Sequence, residues 1–483
     1  MNIKTQVSLS PFEEAAGIAN MKLLLSAQKK AFAKCPYPDV SLRIVQLKKL
    51  KQAVLKKQQD IIEALSADFG HRSHDETRIA ELVTFIEGVK STIQHVGQWT
   101  KHDKRKVSML FKPASNQIIY QPLGVVGIVV PWNYPLFLSL GPLIGALAAG
   151  NRVMIKLSEF TPHFNQCLKE LLAEVFDESE VAVITGEVAI SSEFSSLPFE
   201  HLLFTGSTAV GRLVMAAAAK NLTPVTLELG GKSPVIISDD IDINMAAERI
   251  CFGKSLNAGQ TCVAPDYVMC PRDKKDEFFK AYTEAFSRMY PEFSKSLDYS
   301  SIINEQQYQR LQDLINDAET KGAKLIKVSS VNKSTSGPRK MAPILVDNVQ
   351  DDMHIMQEEL FGPILPVVVY DEIEQAIEYI NKRPLPLALY VFSLNKNIQN
   401  KVIYNTHSGG VCINNTMTHL AQEDMPFGGV GSSGMGHYHG LEGFLTFSKA
   451  KAVHKVGRVA SNKFLYPPYG KLIHRAFYRI FLR

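Results

Sequence analysis

From Val125 onward, short β-branched runs alternate with helical stretches, and no other feature constrains the fold of this 483-residue chain as strongly. Residues 124–130 read as a buried strand, followed by a Pro-Trp-Asn-Tyr-Pro loop and an apolar helix to about Ala149. Arg152–Lys156 reads as a second strand, with a helix to about Phe176, and 181–185, 201–204 and 225–228 as further strands with helices between. Parallel strands need crossovers, so this alternation predicts a parallel sheet covered by helices on both faces. A second α/β series follows Gly231, with strands at 235–237, 266–270, 324–328, 342–345 and 365–369 and helices such as 305–321. Two such series imply a cofactor lobe, then a catalytic lobe, with the active site in the cleft between them. Upstream, residues 41–65 read as one long amphipathic helix, because Leu47, Leu50, Val54, Ile61 and Leu65 fall near helical spacing.

Composition narrows the class. Apolar residues make up 45% and charged residues 21%, an ordinary globular balance. The six cysteines are scattered without a CxxC pair, which speaks against a zinc site or a dithiol redox motif. Five of them read as small buried hydrophobes and all as free thiols in a reducing cytoplasm. No metal is expected, and His437 and His439 read as surface residues because no carboxylate or Cys accompanies them. The first twenty residues carry Glu13 and Glu14 and no apolar core, so no secretory signal is expected. No charged residue lies between Pro113 and Asn151, but Pro131, Pro135 and Pro142 interrupt the run. An unbroken spanning helix of about 20 residues does not fit there.

The net charge of +5 belongs to the tail: from Gly443 onward there are nine Lys or Arg and no Asp or Glu, leaving 44 basic against 48 acidic residues elsewhere. That distribution argues against a nucleic-acid-binding surface. Lys471, Arg475, Arg479 and Arg483 recur every four residues against Leu472, Ile473, Phe477, Ile480 and Phe481. This amphipathic tail either covers a partner subunit's substrate entrance, rests on an anionic membrane surface, or docks with a solvated basic face.

The chemistry sits in short phrases. Leu-Glu-Leu-Gly-Gly-Lys-Ser-Pro over 227–234 brings a carboxylate, Glu228, and Gly-Gln-Thr-Cys over 259–262 brings a thiol, Cys262. A thiol nucleophile and a carboxylate that activates water suffice to form and hydrolyse a thioester. Such a thiol needs surroundings that favour thiolate, since its ordinary pKa is roughly 8.5. The stretch 204–211 follows an apolar strand and opens a small-residue helix, so Gly206, Ser207 and Gly211 suit a backbone approach to an anionic pyrophosphate. It is not a GxGxxG, and alone it would read as a plain strand-to-helix turn. Lys156 and Glu159, in Lys-Leu-Ser-Glu at the end of the second strand, are placed to donate to and accept from ribose hydroxyls. Glu159 would repel a 2′-phosphate, favouring NAD, with NADP still open. Ser158 and Glu159 also suit a capped helix start.

The phrases PWNYP, KLSE, FTGS, LELGGKSP, GQTC, EELFGP and PFGG occur in one order, and in this the chain resembles the aldehyde dehydrogenase superfamily over nearly its whole length. The resemblance implies an α/β fold: a Rossmann-type parallel-sheet cofactor domain (1–103 and 122–229), an α/β catalytic domain (230–446), a small β bridging or oligomerisation segment (104–121 with 447–457) and a basic tail (458–483). It implies Cys262 as nucleophile, Glu228 as base, and Asn133 with the Cys262 backbone N–H as oxyanion donors. Alone, Asn133 would read as a turn residue. Glu359 and Phe361 match the family's nicotinamide-ribose ligand and nicotinamide-packing aromatic; without the resemblance they read as a helix end and a core Phe. The 426–434 segment lacks a P-loop lysine and matches a structural segment near the aldehyde entrance. The short N-terminus, Leu465–Tyr469 segment and basic tail are most similar to the class 3 branch, nearest the bacterial coniferyl aldehyde dehydrogenases, with fatty aldehyde dehydrogenases as neighbours. Members of that branch are usually dimers, pairing a segment near 105–120 with a strand near 448–456. The implied activity is NAD(P)-dependent oxidation of an aldehyde to its acid in the cytoplasm. Acyl transfer to coenzyme A and a non-catalytic structural role are the competing readings.

Overall fold

The computed structural model describes residues 11–329, 337–458 and 461–482. Part of the segment scanned for a secretory signal, residues 1–10, lies outside them, as does Arg483 of the tail. The first α/β series forms a six-stranded sheet in the order Gly434–Met435, Val225–Leu229, His201–Gly206, Val125–Val129, Arg152–Lys156, Val181–Ile184. Its five longer strands are parallel, with Val126 opposite both Val153 and His201. The strand order reverses between Val125–Val129 and His201–Gly206, the point where an open sheet leaves a crevice at its carboxyl edge. Gly434–Met435 runs antiparallel to Val225–Leu229, placing Gly434 opposite Glu228.

The second series forms a seven-stranded sheet in the order Lys324–Lys327, Ile344–Asp347, Ile364–Tyr370, Tyr267–Pro271, Pro234–Ile237, Ala388–Phe392, Gly410–Ile413. All pairs are parallel except the outermost, Lys324–Lys327 against Ile344–Asp347. A third sheet joins Ser115–Pro122 to Ser448–Lys455 over eight residues and to Asp103–Arg105 on its other edge.

The uncharged run holds the strands Ser115–Pro122 and Val125–Val129 and then the helix Pro135–Ala149, in which every residue but Gly141 is buried. This helix packs on the helix Thr84–Trp99 and on the sheet behind it. Among the described residues no helix is long and apolar enough to cross a membrane.

Several sequence readings are corrected. The long helix at 41–65 is two helices, Val40–Lys56 and Gln58–Phe69, separated at Lys57 (φ −95°, ψ 10°). Leu47, Leu50 and Val54 before the break and Ile61, Ile62 and Leu65 after it all enter one core, while Lys57 reaches Glu174 at 3.5 Å. No helix starts at Ser158–Glu159. The next helix is Pro162–Ala173, and its free N–H groups at His163 and Phe164 donate to Asp68, both at 2.9 Å. Cys35 is exposed rather than buried. His437 is exposed as expected, but His439 is only 5% exposed, stacked on Phe427, with burial pushing its imidazole down to about 4.

Candidate active site

A cleft of about 1160 Å³ opens between the two large sheets and is lined from both. From the first come Trp132, Asn133, Gly206, Ser207 and Glu228, and from the second Cys262, Glu359 and Phe361. The walls are therefore the carboxyl ends of strands at the reversal point plus the loops of the facing sheet.

Glu228 stands near the end of Val225–Leu229, 3% exposed, and neither carboxylate oxygen has a hydrogen-bond partner among the described residues. Burial alone holds its pKa well above the ordinary 4.5. The strand ends in Gly230 and Gly231, and a side chain on Gly230 would collide with the Glu359 carboxylate. Glu359 is raised to about 8 by burial and by Asp266, against the opposing Gly231 N–H, Lys232 and Arg310. Its Oε1 is buried without a partner. Lys232 pins this region: it pairs with Asp266 and donates to the carbonyls of Ile355 (2.7 Å) and Glu358 (2.9 Å). Phe361 holds a left-handed backbone (φ +48°) and meets Trp132 edge-on at 5.3 Å. A bulky residue in that conformation is strained, a mark of functional segments.

Cys262 follows an unusual loop. Asn257, Ala258 and Gly259 are all left-handed (φ +51°, +52° and +73°). Gly259 is required there, since a Cβ would also stand 2.6 Å from the Gly362 carbonyl oxygen. The partly exposed thiol is not held as thiolate, contrary to the expectation from sequence. Burial, then Glu359 and Glu228, push it up to about 12, opposed by the N–H groups of Cys262 and Val263. Burial is the main cause of the reversal, and the two nearby carboxyls add to it.

Asn133 is 2% exposed, and its side-chain amide donates one N–H to the Gln260 carbonyl at 3.2 Å, with no second acceptor among the described residues. Its backbone carbonyl accepts from Arg72 (3.0 Å) and the Asn257 side chain (3.1 Å). Tyr134 and Thr261 share a hydroxyl hydrogen bond of 2.8 Å, so adjacent residues of the two loops are tied twice.

Ser207 caps the helix Thr208–Ala219, accepting from the Val210 N–H at 3.4 Å, and the helix N-terminus opens onto the cleft. Gly206 lines the cleft, whereas Gly211 does not; a Cβ on Gly211 would meet Leu229 at 2.6 Å. Gly211 thus permits close packing of this helix on the Glu228 strand rather than an approach to ligand. Lys156 ends its strand and Glu159 follows three residues later, and neither is among the residues that line the cleft. Lys156 is 1% exposed, donates to the Leu157 carbonyl at 2.6 Å, and is pulled down to about 8 by burial against the pull of Glu159.

Sequence reading missed the layer beneath. Arg72, Glu76 and Glu81 come from one segment with no motif, and charges in a helical stretch ordinarily signal a solvated face. Arg72 and Glu81 instead form a fully buried ion pair at 2.9 Å. Glu81 also accepts from the N–H groups of Leu136 (2.7 Å) and Phe137 (3.1 Å), capping the buried helix just after Asn133. Among the described residues no group of three His, Cys, Asp or Glu is placed to hold a metal ion.

Residues 13–453 match the aldehyde dehydrogenase family. The chain is 53% identical to a "Probable coniferyl aldehyde dehydrogenase" of Pseudomonas aeruginosa, over 96% of this chain and 97% of that one. It is 42% identical to the coniferyl aldehyde dehydrogenase of a Pseudomonas species, over 95% of each. Among solved structures it is similar to the substrate-bound state of Staphylococcus aureus AldH, with TM-score 0.91 and 39% identity over 96% of this chain and 99% of that one. The Mycobacterium tuberculosis aldehyde dehydrogenase complexed with NAD+ matches with TM-score 0.81 and 28% identity over 90% of each. A cleft that gathers a thiol, a buried carboxyl and an amide donor, on a fold and a sequence matched over most of the chain, leaves one conclusion: the chain belongs to the aldehyde dehydrogenase family.

Proposed function

We propose that this cleft oxidises an aromatic aldehyde of the coniferyl class to its carboxylic acid, with NAD as the hydride acceptor. The observation that carries the reading is the meeting of Cys262, Asn133 and Glu228 along one cleft, with both Glu228 oxygens free of partners. Cys262 Sγ attacks the carbonyl carbon as its proton passes to Glu228 or to water. The second side-chain N–H of Asn133 and the Cys262 backbone N–H receive the developing oxyanion. A nicotinamide dinucleotide held at the N-terminus of Thr208–Ala219 and by Glu359 would supply the hydride acceptor that thioester formation requires. Glu228 then takes a proton from water, the resulting hydroxide displaces Cys262, and the acid leaves. The sum is aldehyde plus NAD+ plus water giving acid, NADH and a proton.

The residues around the cleft suit a nicotinamide dinucleotide. The N-terminus of Thr208–Ala219 offers unsatisfied N–H groups and a positive dipole end to a pyrophosphate. Glu359 has a partnerless oxygen and Lys156 a buried ammonium, both suited to ribose hydroxyls. Glu159 disfavours a 2′-phosphate, so NAD is preferred over NADP. The coniferyl class is supported by the names of the relatives above. We also infer a homodimer built through the open edge of Ser448–Lys455, and a tail helix that rests on an anionic membrane surface on the cytoplasmic side.

A kcat/KM panel of coniferyl, other aromatic and aliphatic aldehydes with NAD and NADP tests substrate and cofactor together. Free acid from coniferyl aldehyde and NAD at the highest kcat/KM is the expected result. A product that requires coenzyme A, or a preferred long-chain aliphatic aldehyde, would overturn it.

A further inference from the structure

Reactive residues are seldom held by their own backbone alone, and the loop before Cys262 is a case in point. Three successive left-handed residues, Asn257 to Gly259, are unusual, and Ala258 in particular carries a conformation that its own side chain disfavours. The carboxyl in contact with this backbone is Glu76, 7% exposed. Its Oε1 accepts from the Asn257 backbone N–H at 3.1 Å, and its Oε2 from the Ser300 hydroxyl. Ser300 in turn accepts from the Ser73 N–H at 3.1 Å, so the carboxyl is fixed from behind.

The same short segment reaches the other half of the site. Arg72, four residues before Glu76, donates to the Asn133 carbonyl at 3.0 Å. The Asn257 side chain donates to that carbonyl as well, at 3.1 Å. Gln260 closes the loop on the far side: its amide donates to the carbonyls of Asn257 (2.9 Å) and Ser301 (3.0 Å) and accepts from the Ile303 N–H (2.9 Å). Every one of these groups is buried, where a lost hydrogen bond costs most.

We propose that Glu76 is a positioning residue for the oxidation, holding the Asn257–Gly259 backbone so that the Cys262 sulfur and its N–H face the same carbonyl oxygen site as the Asn133 amide. Glu76 touches neither substrate nor nucleotide; it acts through Asn257. The proposal rests on the reading of Cys262 as nucleophile. Near-attack geometry is lost over about an ångström, and misplacement of that size lowers rates by about a hundredfold.

The test compares Glu76→Ala, Glu76→Gln, Ser300→Ala and Cys262→Ala in the full chain. Three quantities are measured: steady-state kinetics, NAD affinity by fluorescence titration, and the rate of Cys262 alkylation by iodoacetamide. Glu76→Ala is expected to lower kcat by about a hundredfold and change the alkylation rate, with the NAD dissociation constant within about twofold of wild type. Glu76→Gln, which keeps an acceptor for the Asn257 N–H, is expected to restore most of the rate. Should Glu76→Ala fail to fold, Ser300→Ala removes only the hydroxyl that fixes the carboxyl, and kcat is expected to fall about tenfold with NAD affinity unchanged. Wild-type kcat and alkylation rate in a folded Glu76→Ala, or in Ser300→Ala where the former is insoluble, would overturn the proposal while Cys262→Ala stays inactive. Activity retained by Cys262→Ala would instead overturn the nucleophile itself.

Discussion

Burial raises the pKa of both Cys262 and Glu228 in this cleft, and that makes a specific demand on pH. The Glu228 carboxyl lies well above 4.5 because it is desolvated, so it loses its charge at a pH where an exposed glutamate keeps it. As base it must be ionised, and kcat is therefore expected to fall with decreasing pH through that raised value, giving an acid limb well above pH 4.5. Glu228→Gln is expected to remove this limb, to retain a single burst of NADH from thioester formation, and to lower the turnover that follows by about a thousandfold. A variant that turns over at the wild-type rate would show that another group activates water. Glu76 makes a separate demand, on stability. Burial raises it to about 7 against the holding effect of Ser300, Arg72 and the Asn257 N–H, so the folded chain binds more protons than the unfolded one between 4.5 and about 7. The sign follows: its contribution to stability is fullest below 4.5 and declines as pH rises through about 7. Melting temperatures of Glu76→Gln measured from pH 5 to 8 are expected to decline less with rising pH than those of wild type. Equal slopes would remove Glu76 from the pH dependence.

At the scale of elements, the two caps are the informative contacts. Glu81 caps the buried helix Pro135–Ala149 and also pairs with Arg72, whereas Asp68 caps Pro162–Ala173 alone. Glu81→Ala leaves a fully buried guanidinium without its counter-charge and is expected to cost about 3–5 kcal/mol in denaturant unfolding. Asp68→Ala loses only a cap and is expected to cost about 1 kcal/mol, with kcat/KM near wild type. Equal losses would mean that the Arg72–Glu81 pair contributes nothing beyond capping. These contacts also mark where sequence stopped being informative. The strand–helix alternation revealed ten of the strands in the two large sheets to within about two residues, because β-branched runs between turns are local signals. Ala388–Phe392, Gly410–Ile413 and Gly434–Met435 escaped it: the first follows Pro384 and Pro386, the second starts at a Gly-Gly pair, and the third has two residues. The cleft's own side chains were legible through phrases such as GQTC, since chemistry fixes their type. Arg72, Glu76 and Glu81 were not, because buried charges carry no periodicity and their partners outside the segment lie 55 to 224 residues away along the chain. Gly211 shows the opposite error, a motif glycine whose reason is helix–strand packing.

At the scale of the whole molecule, the tail is the part that the catalytic lobes do not account for. The helix Leu472–Phe481 buries His474 to 2% exposure yet leaves Leu472 82%, Ile480 72% and Phe481 53% exposed. Lys471, Arg475 and Arg479 line its other flank, on a chain end rich in basic residues and free of acidic ones. Exposed apolar side chains beside a row of cations match the interface of an anionic bilayer, where both faces are satisfied at once. The segment Ser461–Leu465 contacts both this helix and the turn Met109–Phe111, where Met109 is 83% exposed. Vesicles of phosphatidylglycerol and phosphatidylcholine are expected to sediment the full chain at low salt and to release it as salt screens the attraction. Deletion of residues 471–483 is expected to abolish sedimentation while kcat/KM for a soluble aldehyde stays within about twofold, because the cleft lies in the lobes. A full chain that ignores such vesicles, paired with a deletion variant that runs smaller in sedimentation velocity, would assign the apolar face to a second copy of the chain instead.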